Sequence, residues 1–404
     1  MAKTRMNVCL LSLEWPPYGG GIGTYMFNLA KGLGQCGHNT TVITHDKQPE
    51  RISGVNIVET AVENESRTLK NKIMRWRWEP HHSWSQRAWD IFKDMQSSFD
   101  ILETAEYGAW ARHFIGNVNM PIIVRCHTPA MGVRQIPING DGHRIPVWLR
   151  FENKREQMQT QNADAISTPS HVLSNHISLS WSIPVSRIKV LPNPVDTNLF
   201  SPIDFAKKKK EILYVGRLQY NKGVFDFVDA VTGLLKDHTD WTVRLIGKDL
   251  KVPNCIKSSH TMASEEILAR IPFKNRDQIK IMGWVSIDEL IRYQQQAMIA
   301  VVPSRGFESF SYTLTEQMAS GTAVIATHCG GPTEIISDGY DGMLVPVGDI
   351  EAMRSAIQQL IMDTELCREM SRRANKTVEH KYSISKVVPA ITDWYGKIIE
   401  RYKK

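Results

Sequence analysis

The sequence lacks most of the devices that announce a function at sight. Its six cysteines, at 9, 36, 126, 255, 329 and 367, include no C-x-x-C pair and have no His-rich partner cluster. That argues against a zinc site or a thioredoxin-like motif and fits free thiols in a reducing cytosol. No run of about 18 uncharged apolar residues occurs, so no transmembrane helix is expected. The basic opening MAKTRMN is followed by VCLLSL, which is too short for a signal-peptide core and ends at Glu14 without a small-residue cleavage site. It reads as a first buried strand. There is no D-x-D, so a metal–diphosphate clamp is not indicated and no metal or cofactor is expected. There is no G-x-x-x-x-G-K-[ST] either, which removes the P-loop as a motif.

What is present is an ordinary globular composition, 42% apolar and 23% charged over 404 residues. A chain of this length exceeds what one core usually organises, so two domains of roughly 150–200 residues are expected. The formal charge of +7 permits attraction to phosphates without choosing among their carriers.

Short apolar runs alternate with segments of helical period. MNVCLLSL, TTVIT, DILET, PIIVRC, DAIST and IKVL read as strands in the first half, and EILYVG, WTVRLIG, IKIMG, MIAVVPS and TAVIAT in the second. Between them lie amphipathic stretches such as IGTYMFNLAKGLGQCG, with Met26, Leu29, Ala30 and Leu33 on one face. The pattern is α/β with parallel sheets. It pauses at LPNPVDTNLFSPIDFAKKKK, where prolines and four lysines interrupt both periods. The expected layout is a first domain over 1–195, a linker over 196–210 and a second over 211–380. A C-terminal helix or helix pair, broken at Pro389, is expected over 381–404 and packs back on the first domain. Ligands of such sheets sit beyond the carboxyl ends of the strands, so loops of both domains are expected to face a cleft.

Four features carry chemistry. PPYGGGIGTY follows the first strand and opens a helix, but its glycines miss the G-x-G-x-x-G spacing: Thr24 or Met26 falls on the third place. It remains a loop whose amides can approach an anion, or a merely tight turn. GRLQYNKG puts Arg217 and Lys222 directly after a strand, where two cations can neutralise a diphosphate. GFESFSYTLTEQMASG holds Glu308 and Glu316. Thr313-Leu-Thr-Glu316 has the form of a capping box, while carboxylates can also accept from vicinal hydroxyls; the two uses compete for the same oxygens. Finally, Glu103 and Glu106 in DILETAEYGAW end a strand, as cleft-facing groups or as helix-start acids.

PPYGGGIGTY, GRLQYNKG, the paired glutamates and GGPTEIISDGYDGMLV occur in the same order as in the retaining nucleotide-sugar glycosyltransferases of family four, which the chain resembles over nearly its whole length. The resemblance implies the GT-B fold, two Rossmann-like doubly wound domains facing a central cleft. It implies that Arg217 and Lys222 bind the donor diphosphate and that Gly20 and Gly21 approach the phosphates. Glu308 would take the hexose hydroxyls and Glu316 the ribose hydroxyls, while the Phe310 and Ser311 amides meet the distal phosphate. His127 in VRCHTP would lie near the donor sugar, as a hydrogen-bond donor or an aid to acceptor orientation. MGWVS, with Val285, resembles the loop that holds the base, largely by backbone. Asn193 matches a family position but suits a turn, and Glu334 is left out of the site.

The implied activity is transfer of a hexose from a UDP- or GDP-sugar to a hydroxyl of a saccharide or lipid-linked acceptor, with Glu103 or Glu106 at the acceptor. No residue identifies itself as a covalent nucleophile. A nucleotide-sugar epimerase and a non-catalytic sugar-nucleotide-binding protein are the alternatives. Residues 69–89 mix Lys70, Lys72, Arg75, Arg77 and Arg87 with Trp76, Trp78, Trp84 and Trp89. Such a stretch suits an anionic membrane surface, a packed helix pair or an acceptor loop; no nucleic-acid motif accompanies it. A cytoplasmic protein, with peripheral contact on a membrane's inner face as an option, is the expectation.

Overall fold

The computed structural model describes residues 5–17, 19–45, 47–61, 80–131, 147–253 and 260–404. Its described residues form two compact units, one of the chain up to Pro194 together with Ile384–Lys404, the other Val195–Ser383.

The first unit runs β1 (Asn7–Leu11), α1 (Gly21–Gln35), β2 (Asn39–His45), β3 (Val55–Thr60), α2 (Pro80–Phe92), β4 (Ile101–Ala105) and β5 (Ile122–Arg125). It continues through α3 (Val147–Gln161), β6 (Ala165–Thr168), α4 (His171–Trp181) and β7 (Ile188–Val190). Its seven strands pair in parallel in the order β3-β2-β1-β4-β5-β6-β7. β4 and β5 are buried along their whole length, Glu103 and Arg125 included, since a parallel sheet is covered on both faces. The edge strand β3 escapes the apolar reading because VNIVET is mostly half-exposed.

The second unit repeats the plan with β8 (Lys209–Val215), α5 (Val224–Leu235), β9 (Thr242–Ile246), a small hairpin of β10 (Lys251–Pro253) and β11 (His260–Met262), α6 (Ala263–Arg270) and β12 (Ile279–Gly283). Then follow α7 (Ile287–Gln296), β13 (Ala297–Val302), α8 (Tyr312–Ala319), β14 (Ala323–Thr327), α9 (Pro332–Ile335), β15 (Met343–Val345), α10 (Ile350–Met362) and α11 (Thr364–Lys381). The strand order is β12-β9-β8-β13-β14-β15, again all parallel. Side chains alternate between two apolar layers: Ile299 and Val301 of β13 join one, Ala300 and Val302 the other. Each large aliphatic side chain so buried contributes about 1.5–3 kcal/mol. Residues 196–210, read as a linker, belong to this unit. Val195 N donates to Tyr382 O at 2.7 Å, Phe200 is buried in the core, and β8 has begun by Lys209.

The chain then leaves the second unit at Ser383 and forms α12 (Ile384–Tyr402), which belongs to the first. The expected break at Pro389 does not occur: the helix passes through it. A proline so near the helix start forfeits a single backbone bond, and buried Val387, Val388, Ile391, Tyr395 and Ile398 hold the helix down. Gly32 of α1 makes room for it, since a Cβ there would lie 2.4 Å from Val388 Cγ2. Among the described residues no helix is long and apolar enough to cross a membrane.

Candidate active site

In each sheet the strand order reverses once, between β1 and β4 and between β8 and β13. Loops at the carboxyl ends of such neighbours open a crevice that regular structure leaves unfilled. The candidate residues gather at these places.

In the second unit the loops after β8 and β13 are locked together. Gly223 has φ +69°, and a Cβ on it would stand 1.8 Å from Pro303 O, so only glycine lets the two loops approach this closely. Arg305 N and Gly306 N each donate to Asn221 O at 3.0 Å. The Arg305 guanidinium donates to both Asp226 carboxylate oxygens, at 2.5 and 2.7 Å, and to Tyr220 Oη at 2.6 Å. That fork fixes a charge-assisted geometry at the root of both loops.

On this base Lys222 and Glu308 form an ion pair, Nζ to Oε1 at 2.5 Å, and Ser304 Oγ donates to the same oxygen at 2.8 Å. The pairing joins two residues whose expected partners were different, diphosphate and hexose. Lys222 has two further N–H groups, and Glu308 Oε2 has no partner among the described residues. Arg217 is exposed, and its guanidinium makes no hydrogen bond or ion pair among the described residues.

The start of α8 corrects the capping-box reading. The N-cap is Ser311, whose Oγ accepts from Leu314 N, so Glu316 lies a turn further on and caps nothing. Its carboxyl is instead pushed up to about 8 by burial, opposed by the Gln294 side chain. Ser311 has φ +106°, a left-handed conformation that a serine holds only when its surroundings impose it. Gly331 packs against this turn: a Cβ there would lie 2.8 Å from Phe310 N. The Phe310 ring is buried between Tyr312 and Tyr382, while the amides of Phe310 and Ser311 have no acceptor among the described residues. Val285 is half-buried beside the second apolar layer, and Ser286 caps α7.

In the first unit Gly20 and Gly21 begin α1 and are exposed. Gly20 N already donates to Glu14 Oε2 at 2.8 Å, so a carboxylate stands where the resemblance puts phosphate. Glu103 is not an acceptor contact. It is buried within β4, and its oxygens accept from Tyr25 Oη at 2.7 Å and Tyr395 Oη at 2.5 Å. Burial raises its pKa against the pull of nearby Arg125 and the two tyrosines. Glu106 Oε1 accepts from His127 N at 2.8 Å and Thr128 N at 2.7 Å, so it positions the loop after β5. Burial pushes its pKa up to about 7 against those backbone bonds. Its Oε2 is buried and has no partner among the described residues. His127 packs on Tyr25 with ring centroids 4.9 Å apart, and its Nε2 has no partner among the described residues. Burial, with Arg125, lowers its pKa well below the usual value, so the ring is neutral at physiological pH.

Several organising residues were not anticipated. Arg125 is buried and donates to Leu191 O and to Asn193 Oδ1, both at 2.7 Å, which makes Asn193 a partner of a buried cation. A charge inside the apolar run PIIVRC was the available signal. Arg305 and Asp226 gave none, because a loop arginine and a first-turn aspartate are ordinary. Of residues 69–89, those before 80 lie outside the described residues. Trp84 is buried and packs against Trp110 at 5.8 Å, and the half-buried Trp89 packs against Phe114 at 5.2 Å.

Two family models match the chain. One, described as Glycosyltransferase Family 4, matches residues 19–199, and the other, Glycosyl transferases group 1, residues 195–377. Together the two models span residues 19–377 and support a family-4-like glycosyltransferase. It is 23% identical to the glycogen synthase of Mycobacterium tuberculosis, over 96% of this chain and 94% of that one. Its fold is similar to that of the sucrose-phosphate synthase of Thermosynechococcus elongatus, with a TM-score of 0.78 at 18% identity, covering 98% and 100% of the two chains. A second similar structure is Anabaena Alr3699/HepE in complex with UDP-glucose, with a TM-score of 0.71 at 14% identity, covering 97% and 100%. This glycosyltransferase thus has the GT-B architecture of two parallel doubly wound sheets, each with its candidate residues at its own switch point.

Proposed function

We propose that this glycosyltransferase moves a hexose from a nucleotide diphosphate sugar, a UDP- or GDP-sugar, to a hydroxyl of a saccharide or lipid-linked acceptor, with retention at the anomeric carbon. The observation that carries the reading is the Lys222–Glu308 pair beside uncommitted Arg217, at the switch point of the second sheet. Arg217 and the spare N–H groups of Lys222 bind the diphosphate, and Glu308 Oε2 accepts from a hexose hydroxyl. Glu316 receives the ribose hydroxyls, and the Phe310 and Ser311 amides meet the distal phosphate. Neutral His127 donates a hydrogen bond to the sugar. In the reaction the bond from the anomeric carbon to the phosphate oxygen breaks on the face where the acceptor oxygen bonds. The acceptor proton passes to the departing phosphate. The two cations, with no metal, stabilise the charge that develops there.

A thermal-shift screen of nucleotide sugars tests this, because a ligand of the native state raises apparent stability. UDP-glucose is the first candidate, since a similar structure holds it. A stabilising donor should then give an α-linked product from an α-linked donor, undiminished by EDTA. Absence of stabilisation and of transfer across UDP- and GDP-sugars with a panel of acceptors overturns the reading, and conversion of donor alone into an isomer replaces it by epimerisation.

A further inference from the structure

A cavity of about 450 Å³ lies in the first unit, between the starts of β6 and β7 and the last turns of α12. It is lined by Arg187, Lys189, Lys397 and Arg401, with Trp394 in the wall and Asp164 as the one acidic residue. Because it is at the amino ends of the strands, it is at the opposite edge of the sheet from the loops holding His127 and Glu106.

Ordinary structural duties account for two of the four cations. Arg187 Nη2 donates to Ala163 O at 3.2 Å and Nη1 to Gln161 O at 3.4 Å, closing the end of α3. Arg401 Nη2 donates to Asp164 O at 3.1 Å. A guanidinium has five N–H groups, so both keep donors to spare. Lys189 and Lys397 have no hydrogen bond or ion pair among the described residues, and neither has the Ser186 hydroxyl, which also lines the cavity. The Asp164 carboxylate is already in use, with Oδ2 accepting from Ile122 N at 2.8 Å. All four cations are exposed, and the positive potential they share over the pocket attracts an anion. The volume falls in the ~300–1,000 Å³ range of small-ligand sites.

We propose that this cavity is a second ligand site, for a phosphate-bearing anion whose apolar part rests on Trp394. Phosphate is the group that four cations and a hydroxyl satisfy together, by charge and by number of acceptors. It could come from a soluble phosphorylated molecule or from a phospholipid headgroup, and the site does not rest on the proposed transferase chemistry.

The test uses the full chain and inorganic pyrophosphate as the probe. Pyrophosphate also fits Arg217 and Lys222, so titration calorimetry is run on Arg217→Ala/Lys222→Ala, in which one site should remain. Adding Lys189→Glu/Lys397→Glu should weaken that site by about tenfold per lysine or abolish it. Lys189→Gln/Lys397→Gln, which removes charge without reversing it, should weaken it less, and unchanged melting temperatures confirm folding. Flotation with phosphatidylcholine vesicles containing or lacking phosphatidate separates the sources. Lysine-dependent capture by phosphatidate vesicles assigns a headgroup, and pyrophosphate binding without capture assigns a soluble phosphate. Neither binding nor capture, or binding that both lysine variants leave intact, overturns the site.

Discussion

Lys222 and Glu308 are sheltered, with 30% and 17% of their side chains exposed, whereas Arg217 is open to water. Removing the two cations should therefore have different consequences. Arg217→Ala should cut turnover about 100–1,000-fold by loss of charge stabilisation, with no change in melting temperature. Lys222→Met should lose as much activity and also about 1–3 kcal/mol of stability, because it strands a half-buried carboxylate. Urea unfolding beside initial rates separates the two, and equal stability of both variants would remove the pair from the argument. Glu316 gives a second residue-level expectation. Its ordinary value is near 4.5 and its folded value about 8, so between those pH values the folded state holds the extra proton. Stability from this group is therefore full below about pH 4.5 and declines as pH rises to about 8. Glu316→Gln has no such slope, and should gain on the parent by about 1–2 kcal/mol at pH 8 and little at pH 5, after discounting for partial exposure. Thermal melts at the two pH values check this; an equal difference at both sinks it.

At the scale of elements, the site depends on turns more than on helices and strands. Gly223→Ala would drive a Cβ into Pro303 O and separate the loops after β8 and β13. It should cost about 3 kcal/mol or more and abolish donor binding, measured by unfolding and by thermal shift. Those turns are also where sequence reading has least purchase. All eleven apolar runs are strands; in the central ones burial on both faces of a parallel sheet writes itself as largely apolar sequence, while the edge strands β7 and β12 are only partly buried. β15 is missed because three residues are too few to carry a period. Arg217 and Lys222 were legible as cations after a strand, but the pairing of Lys222 with Glu308 was not, since a side-chain pair across 86 positions leaves no local pattern. Of the two uses open to Glu316, the cap suggested by its spacing from Thr313 is removed, because the strained Ser311 starts the helix earlier. Glu103 misled for a tertiary reason: one of the hydroxyls that occupies it belongs to Tyr395, 292 positions away.

At the scale of the molecule, α12 ties the end of the described chain to its beginning through Gly32 and through Tyr395 on Glu103. Gly32→Ala should push the helix off α1 and cost about 1–3 kcal/mol, all of it in the first unit. Denaturant unfolding should then show the first unit's transition moved to lower urea while nucleotide-sugar stabilisation of the second persists; a shift of both together overturns the assignment. The same connection has a consequence in time. The sheet of the first unit is synthesised by Pro194, yet its covering helix follows only after Val195–Ser383. At ~5–20 residues per second, those about 190 residues impose a delay of roughly 10–40 s. For that interval the nascent chain holds a complete sheet with the apolar flank of α1 bare. The later-made unit can finish folding first, so a chaperone that shields this chain during translation would find its substrate in the earlier half.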